Sequence, residues 1–411
     1  MISFTPLKTL QNLEFRNLLT GRFFIVLAFR MLATLLGWWV YQLTKDPFSI
    51  GLIGLSEVIP AVSCALYAGH VIDMNEKKRL LLICNYAYVF LIGLLLIPAF
   101  LNIEINFTGH QITYFIYTVI FFTGIARAFI GPIVPSMIPK IVQKENLPHA
   151  ITLNQATFLI SSVCGHACGG FLIGFFGIKW TLLVIIGLII LASLFFWQLK
   201  QQHSEYKKES VNVVESMREG ISYIFKTKEI LGALCLDMFA VLFGGAVAMI
   251  PVFATDILKV GAEGFGFLNA ASDIGSMCII TILSIVPLRK NQGKILLAVV
   301  AGFGLCIIGF GLSKLYWISF MFLVISGMLD GISVVIRGTI VQLKTPDHIR
   351  GRVLSVNSIF IMSSNEMGQF ESGLMAKIMG VVRSVIFGGS MTVLIALLVG
   401  STNAKLRKMQ Y

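Results

Sequence analysis

Nine ionisable residues interrupt otherwise apolar stretches of this chain: Arg30, Glu57, Arg127, Asp237, Asp273, Asp330, Arg337, Glu366 and Glu371. Placed in the middle of a bilayer, each charge costs at least ~2.5–3.5 kcal/mol on insertion scales, so each needs a partner, a polar cavity or a function. Carboxylates in a polar cavity could take and release protons as their neighbours change. Desolvation favours a neutral acid, and a nearby arginine favours its anion. The competing reading is structural, with Arg127 or Arg30 paired to an acid to hold a helix interface. Arg30, Asp237 and Glu366 head the functional candidates, followed by Asp330 and Glu57. Asp330 and Arg337 fall two turns apart on one helical face, and Asn365 and Gln369 stand beside Glu366. His166, next to Cys164 and Gly165, could titrate, but a histidine among small residues more often serves packing.

These residues need a membrane-spanning scaffold. The chain has 411 residues, 56% hydrophobic and 13% charged. Soluble domains carry about 25% charged residues, so a soluble chain this apolar could not cover its surface. Apolar runs and their polar breaks give twelve candidate transmembrane helices, six from about Gly21 to Leu199 and six from about Ile230 to Ala404. Twelve spans of about 20 residues occupy roughly 240 positions, which leaves short loops and no large soluble domain. The expected organisation is an N-terminal half, 1–199, a cytoplasmic linker, 200–228, and a C-terminal half, 229–411. Within the linker, Val213, Val214, Met217, Ile221, Ile224 and Phe225 recur at helical spacing. An amphipathic surface helix and a flexible tether both fit that stretch.

Charge sets the orientation. With the N-terminus inside, lysines and arginines concentrate in the inner loops, and the outer loops hold Lys45, Lys179, Lys259, Lys314, Lys377 and Arg383. This bias predicts both termini in the cytoplasm. The net charge of +12 is therefore a matter of topology and does not imply a nucleic-acid partner. The seven cysteines lie in apolar segments without metal-ligand spacing, so no metal or cofactor is expected. No phosphate-binding loop is present, since Gly293-Lys294 lacks the rest of that motif. His70-Val-Ile-Asp73 has no accompanying nucleophile, and the chain is not expected to be an enzyme. A faint duplication also shows: setting Gly124 over Gly327 brings Asn154 over Asn357 without a gap, and Arg127 over Asp330.

A charged turn, Gly69-His-Val-Ile-Asp73-Met-Asn-Glu76-Lys77-Lys78-Arg79, separates an almost uncharged run, Ser49 to Val71, from an uncharged one, Leu80 to Leu101. It resembles the loop after the second helix of major facilitator superfamily transporters. Arg127-Ala-Phe-Ile-Gly131-Pro, Pro148-His-Ala-Ile-Thr-Leu-Asn154, and Val341-Gln-Leu-Lys-Thr-Pro346 with Arg350-Gly-Arg352 resemble its enterobactin-exporter and macrolide-efflux-like branch. The resemblance implies an all-α fold of twelve helices in two six-helix halves. It further implies a secondary transporter: a proton-coupled exporter of a small amphipathic molecule, such as a siderophore or drug, acting as a monomer in a bacterial cytoplasmic (inner) membrane. Small-molecule substrate, protons and the lipid bilayer are the implied partners. A lysophospholipid flippase or a non-transporting membrane sensor on the same scaffold are the alternatives.

The charged turn itself is expected to act as a conformational latch. Gly69, Asp73, Lys77 and Lys78 would lie on the cytoplasmic side with Arg350 and Arg352. There Asp73 could cap the positive end of the eleventh helix and pair with those arginines. Asp73→Asn should then shift the population toward states open to the cytoplasm. Cysteine-accessibility labelling from that side reads the shift, and labelling identical to the parent protein would contradict the latch.

Overall fold

Hydrocarbon offers no partner for a backbone N–H or carbonyl, so an apolar chain can cross it only as helices or as a closed barrel. The computed structural model describes residues 9–100, 108–201, 213–286, 288, 290–346, 349–407 and 409–410, and among them no strand occurs. The principal helices are α1 (Leu13–Thr44), α2 (Pro47–Met74), α3 (Lys77–Phe100), α4 (Gly109–Ile141) and α5 (Leu147–Trp197). They continue with α6 (Val213–Lys226), α7 (Lys228–Phe243), α8 (Gly261–Ile285), α9 (Gln292–Leu312), α10 (Tyr316–Lys344), α11 (Arg350–Met379) and α12 (Val381–Thr402).

Ten helical segments among the described residues are long and apolar enough to cross a membrane. Two elements depart from the expected pattern of spans. α5 runs for 51 residues, yet Gly177 within it has φ 77° and ψ 177°, a left-handed conformation that breaks the helix into two arms. α11 is 30 residues long but too polar to be counted among the ten, since it carries Glu366, Glu371 and Lys377. Gly380, at φ 87° and ψ 153°, makes the matching break between α11 and α12. Gly177 and Gly380 stand at the same offset as Gly124 and Gly327, so backbone conformation repeats where side-chain identity barely does.

The chain divides into two compact units. The first comprises Met1–Thr44 and Ile59–Glu209, and the second Lys45–Val58 and Ser210–Tyr411. In the first unit α1 lies along α5. A Cβ at Gly165 would sit 2.6 Å from Arg30 Cβ and 2.8 Å from the Leu27 carbonyl, so glycine is what permits this approach. Buried Phe15, Leu18, Ile25, Leu35 and Phe196 fill its interior.

In the second unit α8 and α10 meet backbone to backbone. The Ser276 hydroxyl donates to the Gly327 carbonyl at 2.9 Å, and Gly275 and Gly327 each face the other helix's main chain with no room for a side chain. Residues 47–58 of α2 pack onto α11 in a similar way, with Gly51 against the Gly373 Cα and Gly54 against the Glu366 carbonyl.

The linker forms helix α6, separated from α7 at Thr227, whose φ of −95° and ψ of 94° leave the helical region. Its apolar spacing serves protein packing as well as any surface role. Ile224 is fully buried in a cluster with Ile230, Ile340, Val341 and Val353, and the Tyr223 hydroxyl donates to the Lys344 carbonyl. Ile221 and Phe225 stay exposed. The remainder of the linker, 202–212, lies outside the described residues.

Candidate functional site

The nine embedded charges are distributed unequally between the units. Arg30 and Arg127 belong to the first; Glu57, Asp237, Asp273, Asp330, Arg337, Glu366 and Glu371 belong to the second. All six candidate carboxylates therefore share one unit.

The densest constellation of the second unit is built by α7, α8 and α10. Arg337 on α10 forms a buried ion pair with Asp237 on α7. Its Nη2 lies 3.6 Å from Asp330 Oδ1, two turns earlier on α10, and its Nε donates to the Ser333 carbonyl at 3.3 Å. Arg337 and Asp237 are 9% and 8% exposed at their side chains, whereas Asp330 is 40% exposed. One arginine thus holds a sealed acid and an accessible one. Asp273 stands on α8, the helix that packs against α10. Two acids facing one arginine can accept a proton without leaving the guanidinium uncompensated, because the second acid still neutralises it.

α11 carries a second acidic stretch. Gln369 Nε2 donates to Glu366 Oε2 at 2.9 Å, which orients that carboxylate, while the Asn365 amide turns back to the Ile361 carbonyl. Glu371 is half-buried one turn beyond. Glu57 sits on the segment of α2 that packs on α11, one turn from Gly54.

The first unit treats its charges differently. The Arg30 guanidinium lies 5.4 Å from the centre of the Phe158 ring on α5, and Arg22, eight residues earlier on α1, lies 5.8 Å from the same ring. Neither arginine has a carboxylate within ion-pair distance among the described residues. A cation over an aromatic face gains about 0.5–2 kcal/mol, less than the ~2.5–3.5 kcal/mol that embedding it costs. Arg127 on α4 stands 5.8 Å from the Phe29 ring, and Phe29 packs on Tyr88 with ring centres 4.6 Å apart. His166 Nδ1 shares a 2.8 Å hydrogen bond with Thr34 Oγ1, consistent with the packing role.

Four positions carry little signal in the sequence. Phe158 is one apolar residue among many. Arg22 groups with the loop charges, although its eight-residue spacing from Arg30 places both near one face of α1. Glu219 ion-pairs with Arg352 from α6, and Ser136 offers its carbonyl to Lys77 Nζ at 3.0 Å. The latch candidates Lys77 and Arg352 are therefore engaged within their own units. Arg350 donates to the Thr345 carbonyl at 3.4 Å. Asp73 lies in the last turn of α2, Gly69 stands one turn before it and Lys78 lies in the first turn of α3.

Comparison with known proteins gives the family and the fold. The sequence profile of the transmembrane secretion effector family matches residues 3–411. The chain is 26% identical to the uncharacterised MFS-type transporter YkuC of Bacillus subtilis (strain 168), over 79% of this chain and 76% of that protein. It is 21% identical to the enterobactin exporter EntS of Escherichia coli O1:K1 / APEC, over 99% and 95%. Among solved structures, a point mutant of the nucleoside transporter NupG superposes with a TM-score of 0.74 at 15% identity, covering 95% of this chain and 99% of that one. The D-xylose–proton symporter superposes at 0.73 with 12% identity, covering 98% of each. At such identities these structures speak to the fold alone.

The buried ion pair has a stability consequence. Arg337→Gln leaves Asp237 buried without its counter-charge, and losing one member of such a pair costs about 3–5 kcal/mol. The Asp237→Asn/Arg337→Gln double variant, with no net buried charge, should recover most of that loss. Thermal melts followed by size exclusion in detergent test this; a double variant as unstable as the two single losses combined would contradict it.

Proposed function

Because the chain belongs to the transmembrane secretion effector family of the major facilitator superfamily, we propose that it is a proton-coupled exporter of a small amphipathic molecule. As a family member it is a multi-pass membrane transporter and not an enzyme. Twelve spans with both termini in the cytoplasm fit the positive-inside distribution, the break at Gly177 and the length of α11. Bacterial relatives support a place in the cytoplasmic membrane, and nothing in the function requires more than a monomer.

One observation carries the coupling: Arg337 held between buried Asp237 and half-exposed Asp330. Protonation of Asp330 frees the guanidinium to bind Asp237 alone, and deprotonation makes the two acids compete for it. Any movement that changes the exposure of Asp330 then changes its proton affinity, which ties proton uptake and release to alternating access. Glu366 and Glu371 on α11, with Glu57 beside them, supply further acids in the same unit. Export is the direction named for the EntS relative. The latch expected of Asp73, Arg350 and Arg352 belongs to this proposal, and Arg352 would have to leave Glu219 to take part in it.

The reading is testable in everted membrane vesicles energised by respiration, with acridine orange reporting the pH gradient. Siderophores, macrolides, other drugs and lysophospholipids are added in turn. At least one should collapse part of the gradient in vesicles holding the parent protein, and Asp330→Asn or Glu366→Gln should abolish the effect at equal expression. A gradient indifferent to every class would contradict proton-coupled export and favour a sensor.

A further inference from the structure

We propose that the first unit carries an anion-binding site made by Arg22, Arg30 and Phe158, and that the transported molecule is an organic anion. This rests on the transport reading above and assigns the substrate class to it.

The two units treat embedded cations in opposite ways. Arg337 is neutralised inside the protein by Asp237 and Asp330. Arg22 and Arg30 are not: no carboxylate pairs with either among the described residues, and what both approach is one phenylalanine ring. Arg22 Nε is buried and has no hydrogen-bond partner. Arg30, beside that ring, is half-buried. An uncompensated guanidinium in a span faces the bundle interior or a polar cavity and marks a substrate path.

The spacing gives that path a direction. Arg22 and Arg30 are eight residues apart on α1, a rise of about 12 Å. With the N-terminus inside, Arg22 stands nearer the cytoplasm and Arg30 nearer mid-membrane, so an anion leaving the cytoplasm meets two cations in succession. Guanidinium groups suit a carboxylate or phenolate because their planar donors engage both lone-pair directions of such an oxygen group. Asn154, one turn before Phe158 on α5, is buried with its side-chain oxygen unpartnered, which adds an acceptor for a hydroxyl or N–H of the same ligand. His166 and Thr34 already satisfy each other and are not needed in the site.

Two xanthene dyes of opposite charge test the assignment: fluorescein, an anion, and rhodamine 123, a cation. Binding to the purified full chain in detergent is read by fluorescence anisotropy. Fluorescein should bind more tightly than rhodamine 123 by about tenfold or more, the effect of losing a charge-assisted hydrogen bond. Arg22→Ala and Arg30→Ala should each weaken fluorescein, and Arg30→Lys should restore part of the loss from Arg30→Ala, which a collapsed fold could not do. Rhodamine bound as tightly as fluorescein, no fluorescein binding, or alanine variants that bind it like the parent would each overturn the proposal. Binding does not depend on a pH gradient. Fluorescein binding without gradient collapse by any compound would contradict proton coupling and spare this site; gradient collapse by another compound without fluorescein binding would contradict this site and spare the coupling.

Discussion

A charge inside a bilayer must be compensated by something within reach, and this protein meets that requirement in two ways. In the second unit the compensation is internal: one guanidinium, two carboxylates and a backbone carbonyl converge where α7 and α10 meet. In the first unit an aromatic ring, Phe158, stands where a counter-charge would be for Arg22 and Arg30. The helices around each site follow from that need. α8 and α10 close to glycine-to-backbone distance at Gly275 and Gly327, which fixes the helix bearing Asp330 and Arg337 against the one bearing Asp273. α1 closes on α5 at Gly165, beside Arg30, which sets the guanidinium toward Phe158.

A buried ion pair is poor evidence of stability, since desolvating both groups offsets much of their attraction. Its value here lies in the contrast between partners. Asp237 is buried and Asp330 keeps 40% of its side-chain surface exposed, so the arginine bridges a buried acid and a partly exposed one. A group between such neighbours responds to small changes in solvent access, which is what coupling a proton to a conformational cycle demands.

Much of the all-helical scaffold was legible in the sequence because bilayer thickness imposes a length on every apolar run. The family followed from short charged and proline-containing turns, and the profile match over residues 3–411 agrees with it. The Asp330–Arg337 neighbourhood was visible as two helical turns on one face. Its third member, Asp237, comes from a different helix, and no local spacing announces a contact of that range. Phe158 was invisible for a similar reason, as one of 32 phenylalanines whose role depends on what α1 places beside it. Glu219 was hidden because the linker reads equally as tether or helix. Its pairing with Arg352 depends on Ile224 docking into the second unit's core.

Taken together, the two modes of compensation suit the division of labour proposed above, in which carboxylates of the second unit would handle protons and arginines of the first an anion. Solid-supported membrane electrophysiology tests that division without any knowledge of the substrate. A rapid pH jump applied to reconstituted protein should give a transient current from protons binding to the embedded acids. The transient should vanish when Asp330 and Glu366 are both replaced by their amides and persist in Arg30→Ala. A transient that survives the carboxylate replacements, or one that disappears with Arg30, would contradict the account.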